Sequence, residues 1–104
     1  MFFELRQYQI LPGKRDEWVT FMEEVVMLDQ LAAGVVIVGS FVGQEDENLY
    51  VWIRRFESEE QHAAFNKTYY ASENFEQNLR PRVREMLGSM VVTRIAATPK
   101  SVMQ

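Results

Sequence analysis

The chain has 104 residues and a mass of 12.2 kDa, enough for one small domain with a single core. Its hydrophobic fraction of 47% and charged fraction of 25% are those of a globular protein and exclude a disordered chain. A net charge of -4, no Cys and a single His, His62, exclude disulfides, thiolate zinc sites, Cys nucleophiles and a multi-His metal site, and argue against generic nucleic-acid binding.

Residues 2–10 alternate and predict a strand. One face carries Phe3, Leu5, Gln7 and Gln9; the other carries Phe2, Glu4, Arg6, Tyr8 and Ile10. Pro12-Gly13 ends it, because Pro lacks the ladder N–H and Gly permits a turn. A helix is predicted from Lys14 to Leu28, with Trp18, Phe21, Met22 and Val25 on one apolar stripe. Residues 29–34 read as a connection. The β-branched run Val35 to Gly43 predicts a second strand buried on both faces. A polar turn over 44–48 joins it to a third strand, Leu49 to Phe56.

Ser58-Glu59-Glu60-Gln61 is a capping box opening a helix that runs to about Ala71. His62, Phe65 and Tyr69 share one side of that helix. Ser72 is a further N-cap, and Phe75, Leu79, Val83 and Met86 form the next helical stripe. Pro81 is expected to kink or split that helix, and Gly88 to end it. Met90 to Ala97 is the last strand, stopped by Thr98-Pro99. One domain over 1–98 and a loose tail over 99–104 are expected.

The order β-α-β-β-α-α-β predicts an α+β, ferredoxin-like sandwich. Its antiparallel four-stranded sheet would run fourth, first, third, second. Both sheet faces want cover. Phe3, Leu5, Val51 and Ile53 make an aliphatic face; Tyr8, Trp52 and Phe56 make an aromatic one, mixed with Glu4, Arg6, Arg54 and Arg94. One layer of helices covers one face only, so a homodimer with sheets packed face to face is expected.

Several stretches resemble the NIPSNAP family: residues 2–8 followed by Leu11-Pro12-Gly13-Lys14, then Gly39 to Val42, Tyr50 to Glu57, Arg80 to Val83, and Val92-Thr93-Arg94. The likeness runs in order along nearly the whole chain. It implies the dimeric α/β-barrel superfamily, whose members include cofactor-free monooxygenases, isomerases and haem-degrading enzymes. It also implies a small-molecule pocket between sheet and helices, with the aromatic and charged face turned toward it. The first residues, Met-Phe-Phe-Glu-Leu-Arg, form no apolar signal segment, and no run of 18 apolar residues exists, so a cytoplasmic chain of the short bacterial type without a membrane span is expected.

Arg6, Arg54 and Arg94 come from neighbouring strands, with Glu4 the one acid on their face. The excess of guanidinium suits a carboxylate, phosphate or enolate. Strand-end arginines that reach water or helix acids would leave the same pattern. Tyr8, Trp52, Phe56, Phe65 and Tyr69 would wall a pocket for a planar molecule, or simply form an aromatic core. His62, Tyr8 and Tyr69 are the candidate proton carriers, although a partly exposed His explains His62 as well. Haem has no axial His on the later helix, and no G-x-G-x-x-G supports flavin or NAD, so no cofactor and no metal are expected.

Residues 1–79 hold 6 basic and 14 acidic side chains, whereas residues 80–104 hold 5 basic and 1 acidic. That basic segment is a solvated helix face, a phosphate or nucleic-acid patch or, around Arg80-Pro81-Arg82, a surface for a protein partner. The candidate functions are therefore a homodimer binding a small anionic or aromatic molecule, a cofactor-free oxygenase or isomerase, and a non-enzymatic interaction module.

Overall fold

A computed structural model describes residues 1–104. The strands are β1 (Phe2–Ile10), β2 (Val36–Val42), β3 (Leu49–Phe56) and β4 (Leu87–Ile95), and all neighbours in the order β2-β3-β1-β4 pair antiparallel. Helices α1 (Arg15–Phe21), α2 (Met27–Ala32), α3 (Glu59–Tyr69) and α4 (Arg80–Met86) cover one face, so the expected ferredoxin-like α+β plan and strand order hold.

The turn after β1 uses Gly13 at φ +79°, a conformation L side chains rarely adopt. α1 and α2 are joined by a π-helical segment, Met22–Val26, and together run four residues past the predicted end. The stop is at Gly34, with φ +89°. The Val35 N–H donates to Gln30 O and the Gly34 N–H to Leu31 O, both at 3.0 Å, a Schellman closure. In the α3 capping box, Ser58 Oγ accepts from the Gln61 N–H at 3.1 Å. The Gln61 side chain reaches one residue further back than the usual partner and accepts from the Glu57 N–H at 2.6 Å. Ser72 Oγ accepts from the Phe75 N–H at 3.1 Å and so opens the next helical stretch.

Pro81 does not break that stretch. A π-helical segment, Phe75–Leu79, leads directly into α4, and its wider turn accommodates the ring nitrogen that has no hydrogen to donate. Gly88 is not a helix stop but lies inside β4. It sits beside the register shift at Gln9/Ile10, where a Cβ would come within 2.9 Å of the Gln9 carbonyl oxygen. β2 is not buried on both faces. It is a sheet edge whose residues are half-buried or exposed, with Phe41 53% exposed, because nothing covers the open face there.

The main core packs Tyr8, Tyr50 and Trp52 of the sheet against Trp18, Phe21 and Met22 of the first helix and Phe75, Leu79 and Met86 of the last. A smaller cluster joins Val35, Phe56 and Phe65. On the open face, Val91 is 61% exposed and Ile95 39% exposed. The last residues turn back toward this face: Ser101 and Met103 share a shallow groove with Phe3, Ile53 and Ile95. No helix is long and apolar enough to cross a membrane.

Candidate functional site

Antiparallel register sets the site. β1 is central, so Glu4 lies opposite Arg54 on β3 and opposite Arg94 on β4. Residues directly opposite share a face, and this face is turned to the helices. Glu4 is 4% exposed and Arg54 is fully buried. Arg54 binds Glu4 Oε1 through Nη2 and, at 3.0 Å, through Nε. Arg6 Nη1 donates to the same oxygen at 2.8 Å. Burial by itself would raise the Glu4 pKa. The charge of Arg54 and the hydrogen bonds from Arg6 and Arg54 outweigh it and hold the carboxyl at about 2.

Two guanidinium groups thus share one carboxylate. Each also holds a phenol. Arg54 Nη1 donates to Tyr70 OH and to Gln30 Oε1, both at 3.1 Å. Arg6 Nε donates to Tyr8 OH at 2.7 Å. Burial pushes the Tyr8 hydroxyl pKa up, so the phenol stays protonated. Aromatic faces flank the buried cation: the Arg54 guanidinium carbon lies 5.0 Å from the Trp52 ring centroid, 5.2 Å from Phe56 and 5.5 Å from Phe65.

Beside this network, between sheet and helices, is a cavity of about 390 Å³. Arg6, Tyr8 and Trp52 line it from the sheet; Trp18, Met22, Val26 and Gln30 line it from the first helical stretch. Asn66 and Tyr70 contribute from α3 and its end, and Phe75, Arg80 and Val83 close it. The volume is at the small end of the roughly 300–1,000 Å³ of ligand sites. The indole N–H groups of Trp18 and Trp52 are buried in its walls with no acceptor in the chain.

The sequence candidates divide. Arg6, Tyr8 and Trp52 reach the cavity wall; Arg54 stands one layer behind it, and Phe56 lies in the smaller cluster. Arg94 is outside, ion-paired to Glu59 with 46% of its side chain exposed. His62 bridges the outer arginine and the inner acid. Its Nε2 is 3.1 Å from Glu4 Oε2 and its Nδ1 is 3.2 Å from Arg94 Nη2. A guanidinium only donates and a carboxylate only accepts, so the ring fits here as the Nε2–H tautomer. Tyr69 stacks on Phe65 at 5.1 Å and lines a separate groove with Asp29 and Val35; its buried hydroxyl has no partner.

Sequence reasoning missed Tyr70, Gln30 and Asn66. Gln30 carried a signal: it continues the four-residue spacing Trp18, Met22, Val26, and it is a polar side chain 1% exposed on that stripe. Tyr70 carried none, since its neighbour Tyr69 has the same chemistry and the better helical phase.

No functionally curated protein matches the chain. Among solved structures, it is similar to a NIPSNAP family protein of unknown function from Agrobacterium tumefaciens, with TM-score 0.89 and 21% identity over 100% of this chain and 94% of that one. An uncharacterized NIPSNAP-like domain protein from Burkholderia xenovorans gives TM-score 0.86 and 19% identity over 96% and 87%. An antibiotic biosynthesis monooxygenase shares the fold, with TM-score 0.67 and 20% identity over 95% and 100%. The NIPSNAP family model matches residues 3–101, a span that holds the Glu4 network and every side chain of the cavity wall; the chain belongs to the NIPSNAP family.

Proposed function

We propose that the protein is a homodimer that binds a small anionic molecule with a flat apolar body in the cavity between sheet and helices. The observation that carries this reading is the pair of guanidinium groups, Arg6 and Arg54, sharing the single carboxylate of Glu4 beside an aromatic-walled cavity. A buried positive charge left over from that pairing favours an anion. The dimer is supported by the open face, where Phe41, Val91 and Ile95 stand exposed on one side of the sheet. The absence of Cys supports a cytoplasmic location.

The test is a thermal-shift titration with 2-naphthoate, paired with light scattering. At a hundredfold excess over Kd, binding should stabilise the protein by about 2.7 kcal/mol. Arg6→Met should abolish the gain. The mass at micromolar concentration should be that of two chains. No shift with any aromatic acid rules out the ligand reading, and a monomeric mass rules out the dimer.

A second reading, a cofactor-free monooxygenase or isomerase, draws on the fold likeness to an antibiotic biosynthesis monooxygenase and on phenols held by arginine at a cavity. Such groups would stabilise an enolate. Turnover of a bound aromatic substrate without added cofactor distinguishes it from simple binding. The interaction-surface reading is less favoured, because Arg80 is paired to Glu76 at 2.6 Å and Arg82 lies 4.3 Å over the Phe21 ring.

A further inference from the structure

On the reading that the cavity binds an anion, the donors and acceptors in its wall narrow the ligand further. Arg6 and Arg80 can only donate, and so can the unpaired indole N–H groups of Trp18 and Trp52. Gln30 Oε1 already accepts from Arg54. Tyr8 and Tyr70 are amphoteric as free phenols, but here each oxygen accepts from a guanidinium, Arg6 Nε and Arg54 Nη1 respectively. Each phenol's O–H is left free to donate, while its oxygen already accepts from a guanidinium and is the poorer acceptor for a ligand. No other hydrogen bond satisfies either hydroxyl hydrogen, and both residues line the same cavity. Asn66 is the one side chain in the wall with an amide oxygen to spare. The polar wall is therefore almost wholly donor.

The charge count agrees. Arg6 and Arg54 against Glu4 leave one positive charge, while Arg80 is balanced by Glu76. One negative charge on the ligand closes the sum; a dianion such as a phosphate monoester overshoots it. We infer that the cavity takes an aromatic monocarboxylate whose oxygens accept hydrogen bonds from the Tyr8 and Tyr70 hydroxyls, with Arg54 acting only as the positioning residue that orients Tyr70. Arg6 Nη2, whose one neighbour is the Met90 sulfur at 3.7 Å, supplies the facing charge. The two phenols, not the buried arginine, touch the ligand.

The test compares 2-naphthoate, 2-naphthaldehyde and 2-naphthylmethylamine by calorimetric titration on the wild-type protein and on Tyr70→Phe and Tyr8→Phe. The wild type should bind the carboxylate most tightly, the neutral acceptor less, and the cation not at all. Each Phe variant should weaken naphthoate binding about tenfold or more, in line with the loss of a hydrogen bond to a charged group. Its melting temperature without ligand should move little, because Arg54 Nη1 keeps Gln30 and Arg6 keeps Glu4. Naphthoate binding that both variants retain in full overturns the donor assignment and leaves the anion site standing. Wild-type protein that binds none of the acceptors, or prefers the amine, overturns both. The wild-type ranking decides the ligand chemistry even if a variant fails to fold.

Discussion

The two faces of this sheet are built from the same strands and differ in almost everything else. On the covered face, Glu4, Arg54 and Trp52 lie within a few per cent of full burial, and every charge has a named partner. On the open face, Phe3 and Ile53 are buried beside the C-terminal residues, whereas Phe41, Val91 and Ile95 stand exposed. The pleat places neighbours in sequence on opposite sides, so Val91 and Val92, or Ile53 and Arg54, have unrelated surroundings. The contrast teaches that buried charge here is held by local partners, with one guanidinium more than the Glu4 carboxylate neutralises. The apolar surface, in contrast, has exposed side chains that no element of the chain covers.

That comparison can be broken from the covered side first. Arg54→Met removes one partner of a buried ion pair and strands Gln30 Oε1 and the Tyr70 oxygen. It should lower unfolding stability by about 3–5 kcal/mol, read from urea denaturation. A loss below about 1 kcal/mol would mean that the covered face is held by its aromatic packing alone.

Acid should act on the same face with nearly equal force. Glu4 titrates near 4.5 when free of the fold and at about 2 within it. The carboxylate's contribution is therefore complete above about pH 4.5 and is lost as pH falls toward 2. The unfolded chain takes up the proton first in that window, and stability should drop by on the order of 3 kcal/mol. Denaturation midpoints measured between pH 5 and pH 2 check the sign and the size. Glu4→Gln, already lacking the charge, should show a flatter profile in this window.

The open side gives the smaller effect and sharpens the contrast. Val91→Glu places a charge at a position 61% exposed in the protomer, so the isolated chain should keep its fold. Across a sheet-to-sheet interface the same charge should weaken association at least tenfold, or about 1.4 kcal/mol. Sedimentation at micromolar concentration should then show a shift from two chains to one. A variant that remains dimeric would separate the open face from the interface.

How much of this was legible in the sequence follows from the range over which each rule acts. Alternation over 2–10 and 49–56 sorted Glu4, Arg6, Tyr8, Trp52 and Arg54 onto one face, because the period of a strand is a property of the backbone alone. The caps at Ser58 and Ser72 were equally local, each set by one hydroxyl and one orphan N–H three residues on. The helix end at Gly34 is as local, a glycine in the left-handed conformation closed by two backbone hydrogen bonds. The NIPSNAP resemblance likewise rested on motifs in order, while the strand order followed from the β-α-β-β-α-α-β succession of elements.

What only the tertiary structure decided is where side chains from different elements meet. Arg54 and Arg94 are both direct neighbours of Glu4. Yet Arg54 lies under the helices and binds Tyr70, while Arg94 lies at the exposed edge strand and binds Glu59. Strand alternation treats the two as equals, since it knows the face and not the depth beneath the helices. The choice of Tyr70 over Tyr69, and the entry of Gln30 into the network, depend on how α3 and the first helical stretch dock on the sheet. Docking is set by the packing of whole faces, in which each residue's place depends on volumes contributed from distant parts of the chain, and no local pattern encodes that sum.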